Sequence, residues 1–240
     1  MKLIISSISK LFDQKIIFQE ASFSFEKGKI YGLLGRNGAG KTTLFNCIAK
    51  NLPLDGGQIS LQMDDHSSLL DYDNTDIALS QATPQLPAFM TAYEFIRFFM
   101  DIHKDKLKDQ RRPEDWLLLA GIAPEDQHRL LKDFSHGMQN KVQMITSLIA
   151  QPAVLLLDEP LTSFDPVAAH EFKELIRAAK KDSIIIFSTH VLQLAQDLCD
   201  EIVLLHHQVL QEIPADRLHD ADFEQEIVDI LSDKQTGESL

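Results

Sequence analysis

The sequence predicts an α/β protein: a parallel sheet buried on both faces, with a small antiparallel β subdomain ahead of it and an α-helical subdomain inserted into it. Three observations carry that expectation. Residues 30–34, 154–157 and 184–187 are apolar without alternation, the pattern of strands covered on both faces. Ala21-Ser22-Phe23-Ser24-Phe25 alternates strictly, as a half-buried antiparallel strand does. Residues 91–150 carry apolar and amphipathic segments of helical character, at 93–99, 116–120 and 142–150.

Along the chain, strand-like runs at 3–8 and 16–18 precede the alternating strand, and Glu26-Lys27-Gly28-Lys29 reads as a turn. The run 30–34 leads through glycines into a helical stretch at 42–49. Pro84 and Pro87 mark the start of the helical subdomain, about 85–152, and Gln151-Pro152 closes its last helix. Each apolar run stops abruptly, at Gly35-Arg36-Asn37-Gly38, at Asp158-Glu159 and at Ser188-Thr189-His190. Open α/β sheets hold their ligands beyond the carboxyl ends of the strands, so the three ends are expected to line one crevice.

Composition narrows the function. With 240 residues, 44% hydrophobic and 25% charged, the chain has a core of its own and disorder is not its main state. Cys47 and Cys199 are too few for a disulfide scaffold and are expected as two buried thiols in a reducing compartment. No apolar run approaches the roughly 20 residues that cross a bilayer, and the first residues lack a signal-peptide pattern. The net charge of -13 is unevenly placed. Residues 212–238 hold nine acids against Arg217 and Lys234, read as a solvated terminal helix within an acidic extension, 216–240. Residues 51–96 hold seven acids and no Lys or Arg. Nucleic-acid binding rests on clustered cations, so no nucleic acid is expected as a partner. His206 and His207, as neighbours on a strand, are expected to project oppositely, and no zinc site is expected.

Gly35-Arg36-Asn37-Gly38-Ala39-Gly40-Lys41-Thr42 is a complete G-x-x-x-x-G-K-[ST] loop between a strand and a helix, followed by Thr43. The pattern arises by chance in roughly 1% of chains this long. Its glycines let backbone N–H groups point inward as an anion nest, Lys41 can reach β- and γ-phosphates, and the Thr42 hydroxyl can hold Mg²⁺. This makes the core that of a P-loop NTPase (RecA-like). Asp158 and Glu159 place two adjacent carboxylates at a buried strand end, which repel unless a cation is near. Asp158 can then bind Mg²⁺ through a water, and Glu159 can orient or deprotonate an attacking water.

With these motifs the sequence resembles the nucleotide-binding subunit of an ATP-binding cassette (ABC) transporter, over nearly its whole length. The resemblance implies ATP and Mg²⁺ as ligands and an ABC nucleotide-binding domain at 1–215. It sets Phe12 where the family stacks an aromatic on adenine. Gln81, with Gln85 as a rival, matches the Q-loop glutamine that touches Mg²⁺ and the transported-side partner. His190 matches the switch histidine that contacts the γ-phosphate. Ser163-Phe164-Asp165 resembles the D-loop that crosses a dimer interface.

The family signature Leu-Ser-Gly-Gly-Gln becomes Phe134-Ser135-His136-Gly137-Met138-Gln139. Ser135 and the Gly137 N–H can still bind a γ-phosphate across a dimer, ahead of a helix expected at 139–150. His136 adds an expected titratable contact near the phosphate, which would favour the charged imidazole. The Phe/Tyr-Ser-x-Gly-Met form looks like that of bacterial exporter subunits and points to export.

The resemblance therefore implies an ATPase working as a nucleotide-sandwich dimer. Its partners are a second nucleotide-binding subunit (homodimer or heterodimer) and transmembrane permease subunits on separate chains. It is expected in the cytoplasm, peripheral on the inner face of the cell membrane. The alternative, a soluble ABC-type ATPase acting on nucleic acid or ribosomes, needs a cationic surface that this chain lacks. A small-molecule P-loop kinase has no use for the 135–137 stretch.

Overall fold

A computed structural model describes residues 1–63, 72–73, 75–104, 107, 111–161, 164–213, 217–218, 220 and 222–232. Strands β1 (Lys2–Phe12) and β2 (Lys15–Glu26) form a hairpin, and β4 (Gly56–Gln62) pairs with the other edge of β1, making a three-stranded antiparallel sheet. The runs 16–18 and 21–25 are one strand, because the register shifts around Ile8 and Glu20 adopts a φ of 50° there, so pairing continues past the irregularity.

A second sheet of six strands has the order β5 (Ile77–Ser80), β6 (Val154–Asp158), β7 (Ile184–Ser188), β3 (Ile30–Leu34), β8 (Glu201–His206), β9 (Val209–Ile213). The first five run parallel and β9 antiparallel. β3, β6 and β7 are buried at every position, as apolar runs without alternation require.

Alternate residues of β6 and β7 face different cores. Val154, Leu156, Ile184 and Ile186 pack with Leu44, Phe45 and Ile48 of α1 (Lys41–Ile48) and with Ile5, Phe18 and Phe25 of the antiparallel sheet. Leu155, Leu157, Ile185 and Phe187 pack against four helices: α2 (Ala92–His103), α3 (Pro113–Leu119), α4 (His136–Ile149) and α5 (Pro166–Ala179). The helical insertion thus shares its core with the sheet. Thr91 and Glu94 form a reciprocal cap at the start of α2, and Asp165 accepts the N–H groups of Val167 and Ala168 ahead of Pro166 in α5.

The helix expected from residue 139 begins at His136. The Ser135 hydroxyl accepts the Met138 N–H at 3.3 Å, and the Ser135 carbonyl accepts that of Gln139 at 2.9 Å, so the first turn closes three residues earlier. The histidine pair also departs from expectation. β8 ends at His206, and His207 opens a left-handed turn (φ 46°), which brings the two rings together at 3.8 Å between centroids.

After α6 (Leu192–Leu198) and the last two strands, α7 (Phe223–Ser232) carries acids on its outer face. Its other face is not solvated: Phe223 and Ile227 are fully buried against Leu34, Ile202 and Leu204 of β3 and β8. Among the described residues no helix is long and apolar enough to cross a membrane.

Cys47 is buried, which pushes its thiol pKa up to about 11. Cys199 is only partly buried by surface area, against the expectation, because α6 ends there and leaves it beside β3 and β8; desolvation still pushes its thiol well up. Since the thiolate is the reactive species, neither thiol of the folded chain should react with Ellman's reagent within minutes at pH 8, and both should after denaturation. One fast native thiol would contradict this.

Candidate active site

The structure brings the three polar strand ends together. After β3 the loop curls into α1 with Gly38 at φ 79° and Gly40 at φ 110°. A Cβ on Gly40 would lie 2.4 Å from Ile17 Cγ2, whereas one on Gly38 would meet nothing within 4 Å. Lys41 is buried at the helix N-terminus, and its Nζ donates to the carbonyls of Gly35 at 2.8 Å and Arg36 at 3.4 Å. Burial lowers its pKa, while the neighbouring Glu159 and Asp158 carboxylates act to raise it.

The Thr42 hydroxyl donates to Asp158 Oδ2 at 2.7 Å, across 116 positions of sequence. From β7, the Ser188 hydroxyl donates to Asp158 Oδ1 at 2.5 Å and accepts the Glu159 N–H at 3.1 Å. Asp158 is therefore a buried carboxylate with hydroxyl donors on both oxygens. Glu159 turns away from the sheet with φ 52°, and its two oxygens lie 3.0 and 2.9 Å from His190 Nδ1. Ser188 was expected only as part of a polar strand end lining the crevice, not as a donor to Asp158. Its signal was only that a fully apolar run ends on a hydroxyl beside the carboxylate pair.

A pocket of about 450 Å³ joins Phe12, Asn37, Gly38, Gly40, Lys41, Thr42, Thr43, Asp158 and Glu159. Lys15, Ile17 and Ala82 complete its wall, and none of these was foreseen. Arg36 and Ala39 line the adjoining pocket toward His206 and His207. Gly35 and His190 line a cleft closed by Ile227, Val228 and Leu231 of α7.

Gln81 is not in the wall with Thr42 and Asp158. Gln143 of α4 donates to the Gln81 carbonyl at 2.7 Å and to Ser80 Oγ at 3.1 Å, and accepts the Gln85 N–H at 2.9 Å. That clamp sets Gln81 and Gln85 in a separate cleft of about 340 Å³ beneath α2 and α4, with Leu86, Phe95 and Phe99. The Phe134-to-Met138 stretch lies apart from the pocket: Ser135 and His136 are exposed at the N-terminus of α4. Ser163 lies outside the described residues. Phe164 packs on Phe172, and Asp165 caps α5 and meets Lys141 of α4 at 3.3 Å.

A glycine-cradled lysine beside a hydroxyl–carboxylate pair, at the carboxyl ends of a parallel sheet, defines a P-loop nucleoside-triphosphate-binding protein. The chain belongs to the ABC transporter family, whose profile matches residues 18–162. It is 33% identical over 84% of its length to the uncharacterized ABC transporter ATP-binding protein YxlF of Bacillus subtilis, covering 66% of that protein. It is also 33% identical over 76% of its length to a fluoroquinolones export ATP-binding protein of Mycobacterium tuberculosis, covering 60% of it. The chain thus spans slightly less than two thirds of these relatives. Its fold matches the ATP-binding cassette MJ0796, solved as a dimer in a post-hydrolysis state with ADP and Pi, with a TM-score of 0.73 and 18% identity over 89% of this chain and 98% of that one.

The loop geometry makes a graded prediction. Gly40→Ala should cost about 1–3 kcal/mol, a fall in Tm of about 2–10 °C, because both backbone and Ile17 oppose it. Gly38→Ala should cost less, since only the backbone does. Equal losses in thermal unfolding would refute the difference.

Proposed function

We propose that this chain is the ATP-binding and hydrolysing subunit that powers an ABC transporter of export type. The observation that carries the reading is the Thr42–Asp158 contact, which sets a hydroxyl and a carboxylate side by side next to Lys41. Such hard oxygen donors suit Mg²⁺. When bound, Mg²⁺ would be held by the Thr42 hydroxyl and Asp158 and would supply positive charge to neutralise the phosphates.

The chain's own groups do the rest. Phe12 stacks on adenine. Backbone N–H groups of the 35–43 loop and the N-terminus of α1 cradle the phosphates, and Lys41 exchanges its loop carbonyls for phosphate oxygens. Glu159 accepts a proton from the attacking water, and His190 holds that carboxylate and reaches the γ-phosphate. The carboxylate is aimed before the water arrives, because both its oxygens already face the ring nitrogen.

Ser135 and Gly137 stand at the start of α4, away from their own chain's pocket, so a second subunit supplies this stretch to the γ-phosphate. That subunit is an identical or a related copy. Lys141 ties Asp165 to the same helix, which couples Asp165 and the 135–138 stretch as one partner-facing unit. We divide the chain into a nucleotide-binding domain at 1–215, with helices of about 85–152 as its insertion, and a 216–240 extension packed on it through α7. The cleft of Gln81, clamped by Gln143, faces the permease subunits, which place the chain at the inner face of the membrane. The export relative and the Ser-His-Gly-Met variant both support outward transport.

Glu159→Gln should bind ATP within about threefold of wild type and hydrolyse it at least about 100-fold more slowly. It should also form an ATP-dependent dimer on size-exclusion chromatography. Retained turnover, or a monomer with ATP and Mg²⁺ even beside its co-purified membrane partner, would sink the reading.

A further inference from the structure

Phe12 ends β1 at the tip of a hairpin, 44% exposed, and lines the pocket. Lys10 precedes it by two positions, so both side chains lie on one face of the strand. Lys10 is 6% exposed, unusual for an ammonium, and its Nζ lies 5.3 Å from the centroid of the Phe12 ring. Its Nζ is also 3.1 Å from Asp55 Oδ2. Asp55 in turn accepts the Leu11 N–H at 2.7 Å, and its own N–H donates to the Ser9 carbonyl at 2.9 Å. One residue thus grips the backbone on both sides of Lys10, through its N–H at Ser9 and its carboxylate at Leu11, and the same carboxylate holds the ammonium.

We propose that Lys10, held by Asp55, is a positioning residue for the nucleotide base: it covers one face of the Phe12 ring and leaves the other for stacking. The inference rests on the reading in which Phe12 stacks on adenine. The cation restrains the ring before the base arrives, so less ordering remains to be done on binding, and it polarises the ring toward itself. Lys10 touches no phosphate in this role. Its effect is confined to ligands that carry a base.

The test compares ATP with inorganic tripolyphosphate, which has the phosphates and no base, by calorimetry on the full chain. Lys10→Met keeps the stem and removes the charge, and Asp55→Asn removes the grip. Both should weaken ATP about three- to tenfold and leave tripolyphosphate affinity unchanged, which also shows that the loop is folded. In steady-state kinetics the loss should appear in KM rather than kcat, and Lys10→Arg should restore most of it. Equal weakening of both ligands would overturn the proposal by showing a general structural role. Phe12→Ala separates the two layers of the argument. If it weakens ATP while Lys10→Met does not, the positioning role alone is overturned; if neither weakens ATP, stacking by Phe12 falls with it.

Discussion

The candidate site depends on how one carboxylate is held. Asp158 is almost fully buried, and an unpaired carboxylate there would cost several kcal/mol. It is tolerated because Thr42 and Ser188 each give a hydroxyl hydrogen to one of its oxygens. Those donors arrive from different parts of the chain, one from the first turn of α1 and one from the end of β7. The order β6-β7-β3 within the sheet is what makes the meeting geometrically possible. The strands end level with one another, so donors that end or follow two neighbouring strands reach the carboxylate at the end of the third.

Much of this arrangement was legible in the sequence, for a physical reason. A strand covered on both faces has to be apolar at every position, and 30–34, 154–157 and 184–187 carry that mark. The glycine loop announces itself because the backbone conformations it needs are closed to other residues. What stayed hidden lacked such a mark. β4 begins with Gly-Gly-Gln, β5 has only four residues, and β9 is mostly exposed, so none gives a clean period. The start of α4 hid because His136, Gly137 and Met138 suggest no helix until the Ser135 cap is seen. Ser188, Gln143 and Lys10 act through partners remote in sequence, and a lone polar residue in an element has no pattern of its own.

The charge distribution follows a similar logic. A chain with a net charge of -13 binds a polyphosphate only if the local field is reversed. Lys15, Arg36 and Lys41 gather around the loop and its two pockets, whereas 51–96 contributes no cation. At physiological ionic strength the Debye length is about 8 Å, so distant acids are screened while these near cations are not.

Glu159, the proposed acceptor of the water proton, has a backbone φ of 52°, in the left-handed region. An L-residue with a Cβ gives up about 1 kcal/mol or more there, a cost that glycine does not meet. The position is thus less comfortable than it could be, and the most stabilising replacement is the one that deletes the reactive group. Laboratory evolution toward heat resistance alone would be drawn to this residue, and the hardier descendants would be inert.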